Sequence, residues 1–351
     1  MTQRRRFLKA IGLAGAVGLA GCTGDTDTSD TTTSGTTSSQ GDSSDEDGSD
    51  ETDTTTEQGP SVTFGGDDEI NMNLSPSVPQ KNLYVQYGPV RDHLEGYVES
   101  NYDVPEALDA NMSVGSNYSA VIQALGSGTA DIAETGPFAA ALGVDAGNAE
   151  VVLQRKGYGS WTYQSIIAVP KDSDVTSLSD LSGKTVAFAD RLSTSGCLYP
   201  LYDMKTDGDV DIGELPEGNG SQADIDPVFA GGHTKSYALL KKGQVDAAGM
   251  GGFVPGIVDD FSGTARKINV HDGLPRAPIV VSSQLGSEAK TALRQAFLDA
   301  PDTVYYGADG KEGGDDDLWF SDVREASVDD YQSVIDTAKE LGVTPELFES
   351  A

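Results

Sequence analysis

The chain has 351 residues, with 23 Lys and Arg against 56 Asp and Glu and a formal net charge of −33 at pH 7. A surface this acidic repels nucleic-acid phosphates and anionic lipid headgroups, so neither a nucleic-acid partner nor a basic membrane-binding patch is expected. Two cysteines, Cys22 and Cys197, exclude a disulfide framework.

The N-terminus reads as a processing signal rather than as part of the fold. Arg4, Arg5 and Arg6 precede Phe7, Leu8 and Lys9, and an apolar run from Ile11 to Gly21 ends in Leu19-Ala20-Gly21-Cys22. That run is short of the roughly 20 residues that cross a bilayer. The twin arginines resemble a Tat export signal and the last four residues a lipoprotein box. Residues 1–22 are then the signal, and Cys22 is the lipidated first residue of an exported chain anchored to the outer face of the cell membrane. With Cys22 modified, Cys197 has no disulfide partner. Residues 23–60 hold eight Asp, three Glu and no Lys or Arg. Such a stretch cannot build a core and is expected to be a disordered, self-repelling tether. Residues 61–351 still carry a charge of −26. At about 1 M salt the Debye length is about 3 Å, and the acidic excess resembles that of haloarchaeal surface proteins; it concerns solubility rather than chemistry.

Residues 61–351 suffice for two lobes, each with its own core. Ile70, Met72 and Leu74 alternate as a strand, and Tyr84, Tyr87, Val90, Leu94 and Tyr97 recur at helical spacing. Tyr118, Val121, Ile122 and Leu125 mark a second helix, followed by short strands at 131–133, 151–153 and 166–169. Next come Val186 to Ala189 as a buried strand, Ser193, Thr194, Ser195 and Gly196 as a turn, and Leu198, Leu201 and Tyr202 as the inner face of a helix. Strands are expected at 227–229, 245–248 and 268–270, with a helix over 237–240. A last set follows: Ile279 to Val281 as strand, Ala289, Leu293, Ala296 and Phe297 as helix, and a helix opened by Ser327 with Asp330 three residues on. Tyr331, Val334, Ile335, Ala338 and Leu341 are its inner face. Alternation of strand and helix favours doubly wound parallel sheets with a ligand at the carboxyl ends of the strands.

The segment Gly183 to Pro200, GKTVAFADRLSTSGCLYP, is the most informative. Three adjacent hydroxyls at a helix N-terminus exceed what one cap requires. Unpaired N–H groups and the positive dipole end would add to the hydroxyl donors, making a place built to hold an oxyanion.

Three further segments accompany this turn. They are Asn117-Tyr118 through Ala124-Leu125-Gly126-Ser127-Gly128 to Ala130-Asp131-Ile132-Ala133 and Gly136-Pro137-Phe138; Tyr163-Gln164-Ser165; and Gly232-His233 to Gly243-Gln244-Val245-Asp246-Ala247. In order and spacing, residues 68 to 300 resemble the phosphate-, phosphite- and phosphonate-binding proteins of ABC importers. The resemblance implies an α/β, two-lobe periplasmic-binding-protein fold of type II with two crossover hinge strands near Ser165 and His271. Residues 61–164 and 272–351 would form one lobe and residues 165–271 the other. It implies a ligand site made by Tyr118, Tyr163, Ser193, Thr194, Ser195 and His233, with the histidine adding positive charge if protonated. It also implies partners: a small anionic ligand and an ABC permease with its ATPase. Positions that carry acidic residues for an aminated ligand are here Phe253 and Ala277, so the distal end of the pocket is expected to be apolar or small. That favours phosphate, phosphite or a non-aminated phosphonate.

Neither cofactor nor metal is expected, because the acidic residues show no ligand spacing. Catalysis by Ser193 or Ser195 with His233 is disfavoured: there is no Gly-x-Ser-x-Gly elbow and no orienting acid. Another small anion such as a sulfonate, or a tethered sensor in place of an importer, would use the same closure around the ligand.

Overall fold

The computed structural model describes residues 59–65, 69–77, 80–104, 108–213 and 223–343. The expected signal, the lipidation site Cys22 and nearly all of the tether lie outside these residues.

The chain enters a first sheet with β1 (Ile70–Leu74), β2 (Ala110–Val114), β3 (Ile132–Glu134) and β4 (Ala149–Gly157). It then builds a second with β5 (Thr162–Pro170), β6 (Thr185–Phe188), β7 (Asp226–Phe229), β8 (Ala247–Gly251) and β9 (Ala265–Pro275), and returns to the first with β10 (Pro278–Ser282) and β11 (Phe320–Glu325). The spatial orders are β11-β4-β10-β3-β1-β2 and β7-β6-β8-β5-β9. Strand β1 runs parallel to β2 and β3, and β6 runs parallel to β7 and β8. By contrast β10 lies antiparallel between β3 and β4, and β5 antiparallel between β8 and β9. The sheets are therefore mixed, not wholly parallel as the alternation alone predicts. Short links at 158–161 and 276–277 carry the chain between sheets, and links without a crossover helix do not impose a parallel return. Ser165 and His271 face each other in register on β5 and β9.

The helices are α1 (Gln80–Asn101), α2 (Tyr118–Gly126), α3 (Pro137–Asp145), α4 (Tyr199–Thr206), α5 (His233–Lys241), α6 (Val254–Ile257), α7 (Phe261–Thr264), α8 (Ser287–Leu298) and α9 (Gln332–Glu340). On α1 the buried stripe is Leu83, Tyr87, Val90, Leu94 and Val98, while Tyr84 stays 40% exposed. The expected face holds at its centre, while at its ends Leu83 and Val98 take the buried places in preference to Tyr84 and Tyr97. Ser327 and Asp330 form the expected capping box, which opens a 3₁₀ turn ahead of α9.

Three apolar clusters form among the described residues. One lies between the first sheet and helices α1 and α8, and a smaller one lies under α5 in the second half. The third joins both halves: Tyr118, Phe138 and Val151 share it with Phe188, Cys197 and Leu201, and Tyr331, Val334 and Ala338 close it. Each half thus has a cluster of its own, and the third adds a shared one. The wall where the sheets meet is itself apolar and desolvated, which strengthens any polar contact made there.

Candidate anion-binding site

Strand β6 delivers the chain to Ser193, which caps the next helix: its Oγ accepts from the Gly196 N–H at 3.1 Å. The segment Thr194–Leu198 is not an open turn but one turn of π-helix leading into α4. The cause lies at Pro200. Proline has no N–H to return to the carbonyls of Ser195 and Gly196, so both look outward for donors. Ser165 Oγ on β5 donates to Ser195 O at 2.8 Å, and the Ala189 N–H at the end of β6 donates to Gly196 O at 3.0 Å. The hydroxyl turn is thereby tied to two strands, and single π turns of this kind recur at functional sites. Ser193, Thr194 and Ser195 are each 2% exposed or less.

His233 opens α5 behind Gly231 and Gly232, whose φ values of 74° and 156° place the helix start where only glycine is unstrained. Gly196 gives it room, since a methyl group there would lie 3.0 Å from His233 Cε1. The Gly251 N–H donates to His233 Nδ1 at 3.0 Å, and Nε2 lies 3.5 Å from Ser193 Oγ. An imidazole that accepts at Nδ1 carries its proton on Nε2. Burial pushes its pKa down to about 4. His233 is therefore a neutral N–H donor aimed at Ser193, and the positive charge it would add on protonation is disfavoured by burial. With its Oγ already accepting from Gly196 and facing the Nε2–H, Ser193 keeps its O–H proton to give.

Tyr163 on β5 directs its phenol to the hydroxyls of Ser195 and Thr194. Tyr118 stands on the other side, at the start of α2, buried and with its pKa pushed up first by desolvation and then by the neighbouring charge of Asp190. Thr194 bridges the two halves: the Phe138 N–H at the start of α3 donates to Thr194 Oγ1 at 2.9 Å. The Asp190 carboxylate accepts from the Leu192 N–H at 2.8 Å and from the Tyr118 N–H. All six residues expected at the site are thus gathered around one junction of the two sheets.

Sequence reasoning missed several neighbours of this junction. Besides Asp190, these are the buried Glu134–Arg155 ion pair at 2.6 Å, and Arg276. Glu134 also accepts from the Ser75 N–H at 2.9 Å, and Arg155 donates to Tyr87 and to Thr135 O. None of these carried a local signal, because each gains its meaning from residues distant in sequence. Phe253 lies edge-on to His233 at 5.1 Å and alongside Tyr158 at 6.3 Å, so it lines the same junction with an apolar face. Surface grooves of about 300 Å³ at residues 205–213 and about 290 Å³ between Glu150, Val152, Ser287, Lys290, Thr291 and Arg294 touch none of these groups. Among the described residues there is no cluster of His, Cys, Asp and Glu that could hold a metal. Cys197 is buried and its thiol is pushed up by desolvation, so it is no nucleophile.

Two open mixed sheets, joined by two short crossings with polar donors collected between them, define the type II periplasmic-binding-protein architecture. In solved structures the same fold appears in a binding-protein component of an ABC phosphonate transporter from Pseudomonas aeruginosa, with a TM-score of 0.62 at 21% identity over 78% of this chain and 86% of that one. It appears again in PhnD1 from Prochlorococcus marinus in complex with methylphosphonate, with a TM-score of 0.62 at 18% identity over 78% of this chain and 98% of the other. The chain belongs to the phosphonate-binding family, described as ABC transporter, phosphonate, periplasmic substrate-binding protein, and the match spans residues 72–331. Among curated proteins it is 32% identical over 192 residues to the phosphate-import protein PhnD of Mycolicibacterium smegmatis, covering 52% of this chain and 55% of that protein. It is 28% identical over 184 residues to the phosphonates-binding periplasmic protein of Escherichia coli, covering 51% and 49%. The chain thus matches about half the length of these curated relatives.

Proposed function

We propose that this chain is the exported solute-binding component of an ABC importer and that it captures a phosphorus oxyanion lacking an amine: phosphate, phosphite or a short phosphonate. Ser193, Thr194, Ser195 and His233 would hold the oxygens from one half and Tyr118 from the other, with the Tyr163 phenol beside the hydroxyls of Ser195 and Thr194. A ligand touching both halves, residues 61–164 with 272–351 and residues 165–271, would hold them closed, and the closed form would dock on a permease and its ATPase. Lipidation of Cys22 after Tat export, the acidic tether and a high-salt habitat belong to the same reading.

The observation that carries it is the neutral His233. Its Nδ1 lone pair is occupied by the Gly251 N–H, so Nε2 can only donate. A serine nucleophile needs that nitrogen as a base. The site can therefore grip an oxyanion but lacks the means to attack one, and the ligand leaves unchanged.

Calorimetric titration of the full chain with phosphate, phosphite, methylphosphonate, 2-aminoethylphosphonate and sulfate tests this. The expected result is tight binding of one of the first three. Tightest binding of the aminated compound or of sulfate, or hydrolysis of a phosphate ester, would overturn it.

A further inference from the structure

Arg276 sits in the two-residue link that returns the chain to the first sheet, and it is 7% exposed. Its guanidinium is wrapped by aromatic faces: the Tyr163 ring centre lies 5.1 Å from Cζ, Tyr158 5.4 Å and Trp319 6.0 Å. Its Nε has no hydrogen-bond partner among the described residues. The charged or titratable groups that bear on it are Tyr163 and Tyr158, both neutral phenols, and the cation Arg155. Arg155 shares the Trp319 ring at 4.6 Å but is neutralised by Glu134. Arg276 is thus a buried positive charge that no carboxylate among the described residues balances. Leaving such a group unpaired is costly unless a ligand completes it.

Its neighbours decide where that ligand lies. Tyr163 reaches the hydroxyls of Ser195 and Thr194 on one side and faces Arg276 on the other. Tyr158 touches Arg276 and stacks on Phe253, Phe253 meets His233, and His233 meets Ser193. These contacts link the hydroxyl turn to the guanidinium by two routes, through Tyr163 on one side and through His233, Phe253 and Tyr158 on the other.

Building on the proposed function, we infer that Arg276 binds a second anionic group at the far end of the ligand, so that the substrate class is a phosphonate carrying a carboxylate. The phosphonate oxygens meet the hydroxyl turn, and the carboxylate meets the planar fork, whose parallel N–H groups match two carboxylate oxygens. An ammonium in the same place would be repelled.

The test is titration of the full chain and of Arg276→Gln with phosphonoacetate and methylphosphonate, each followed by calorimetry. In the unsubstituted protein phosphonoacetate should bind at least about tenfold more tightly than methylphosphonate, the value of one good charge-assisted contact. Arg276→Gln should erase that preference while changing methylphosphonate affinity by less than about threefold, and Arg276→Lys should restore part of it. If methylphosphonate binds as well as or better than phosphonoacetate to the unsubstituted protein, the inference fails and the proposed function stands; this comparison holds even where Arg276→Gln does not fold. Equal losses for both ligands in a folded Arg276→Gln variant would also overturn it. Absence of binding by either phosphonate, phosphate or phosphite would overturn both readings together.

Discussion

At the scale of single residues, His233 decides what the site can do. Its folded pKa of about 4 lies below the ordinary 6.5, because burial disfavours the charged ring. A base depressed in the folded state is stabilising above its unfolded pKa, and that contribution is lost as pH falls through the interval from 6.5 to about 4, below which both states are protonated. The full loss is about 3 kcal/mol. Protonation would also place an N–H on Nδ1 against the Gly251 N–H, so the ring must leave its seat. His233→Asn, whose side-chain oxygen can still accept from Gly251, removes the titration. Chemical denaturation across this range should show wild type losing stability relative to the variant by about 3 kcal/mol between neutral pH and pH 4. A constant gap would mean that His233 is not buried neutral.

The elements were legible in unequal measure. The β6 strand and the capped hydroxyl run could be read because both are local: an apolar tetrad followed by small residues that compete for backbone bonds. Edge strands β2 and β11 escaped, since an edge strand half open to water carries little apolar alternation, as in the exposed positions of Phe320–Glu325. The π turn escaped because its cause, the missing N–H of Pro200, acts only together with acceptors and donors on β5 and β6. Arg276 escaped for the same reason, its three aromatic faces coming from positions 158, 163 and 319. Packing around the turn leaves no slack. A methyl at Gly196 would lie 2.5 Å from Ala189 Cβ and 2.9 Å from Ser193 Oγ. Gly196→Ala should therefore part the π turn from β6 and push His233 aside, at about 1–3 kcal/mol of overpacking strain. Urea melts should register that loss, and Kd for the preferred oxyanion should rise at least about tenfold. An unchanged Kd would show that the turn does not form the site.

For the molecule as a whole, the proposed capture of an anion has to be reconciled with a formal charge of −33. The contacts proposed to hold the ligand would act at hydrogen-bond distance among buried side chains, where salt screens little. The approach is governed by the surface, and its field repels an incoming oxyanion over about 10 Å at 0.1 M salt but only about 3 Å at 1 M. Association should then accelerate with salt, the reverse of the usual case in which opposite charges are steered together and screening slows them. Trp319, whose ring flanks Arg276 and Arg155, is a natural reporter of arrival. Stopped-flow fluorescence with the tightest-binding oxyanion should show the association rate rising several-fold, on the order of the electrostatic factors seen in steered encounters, between 0.1 and 1 M KCl. The dissociation rate should move far less, because it reports on the buried contacts. A falling association rate would mean that the entrance is locally positive, with Arg276 reaching beyond its aromatic collar to set the field at the mouth.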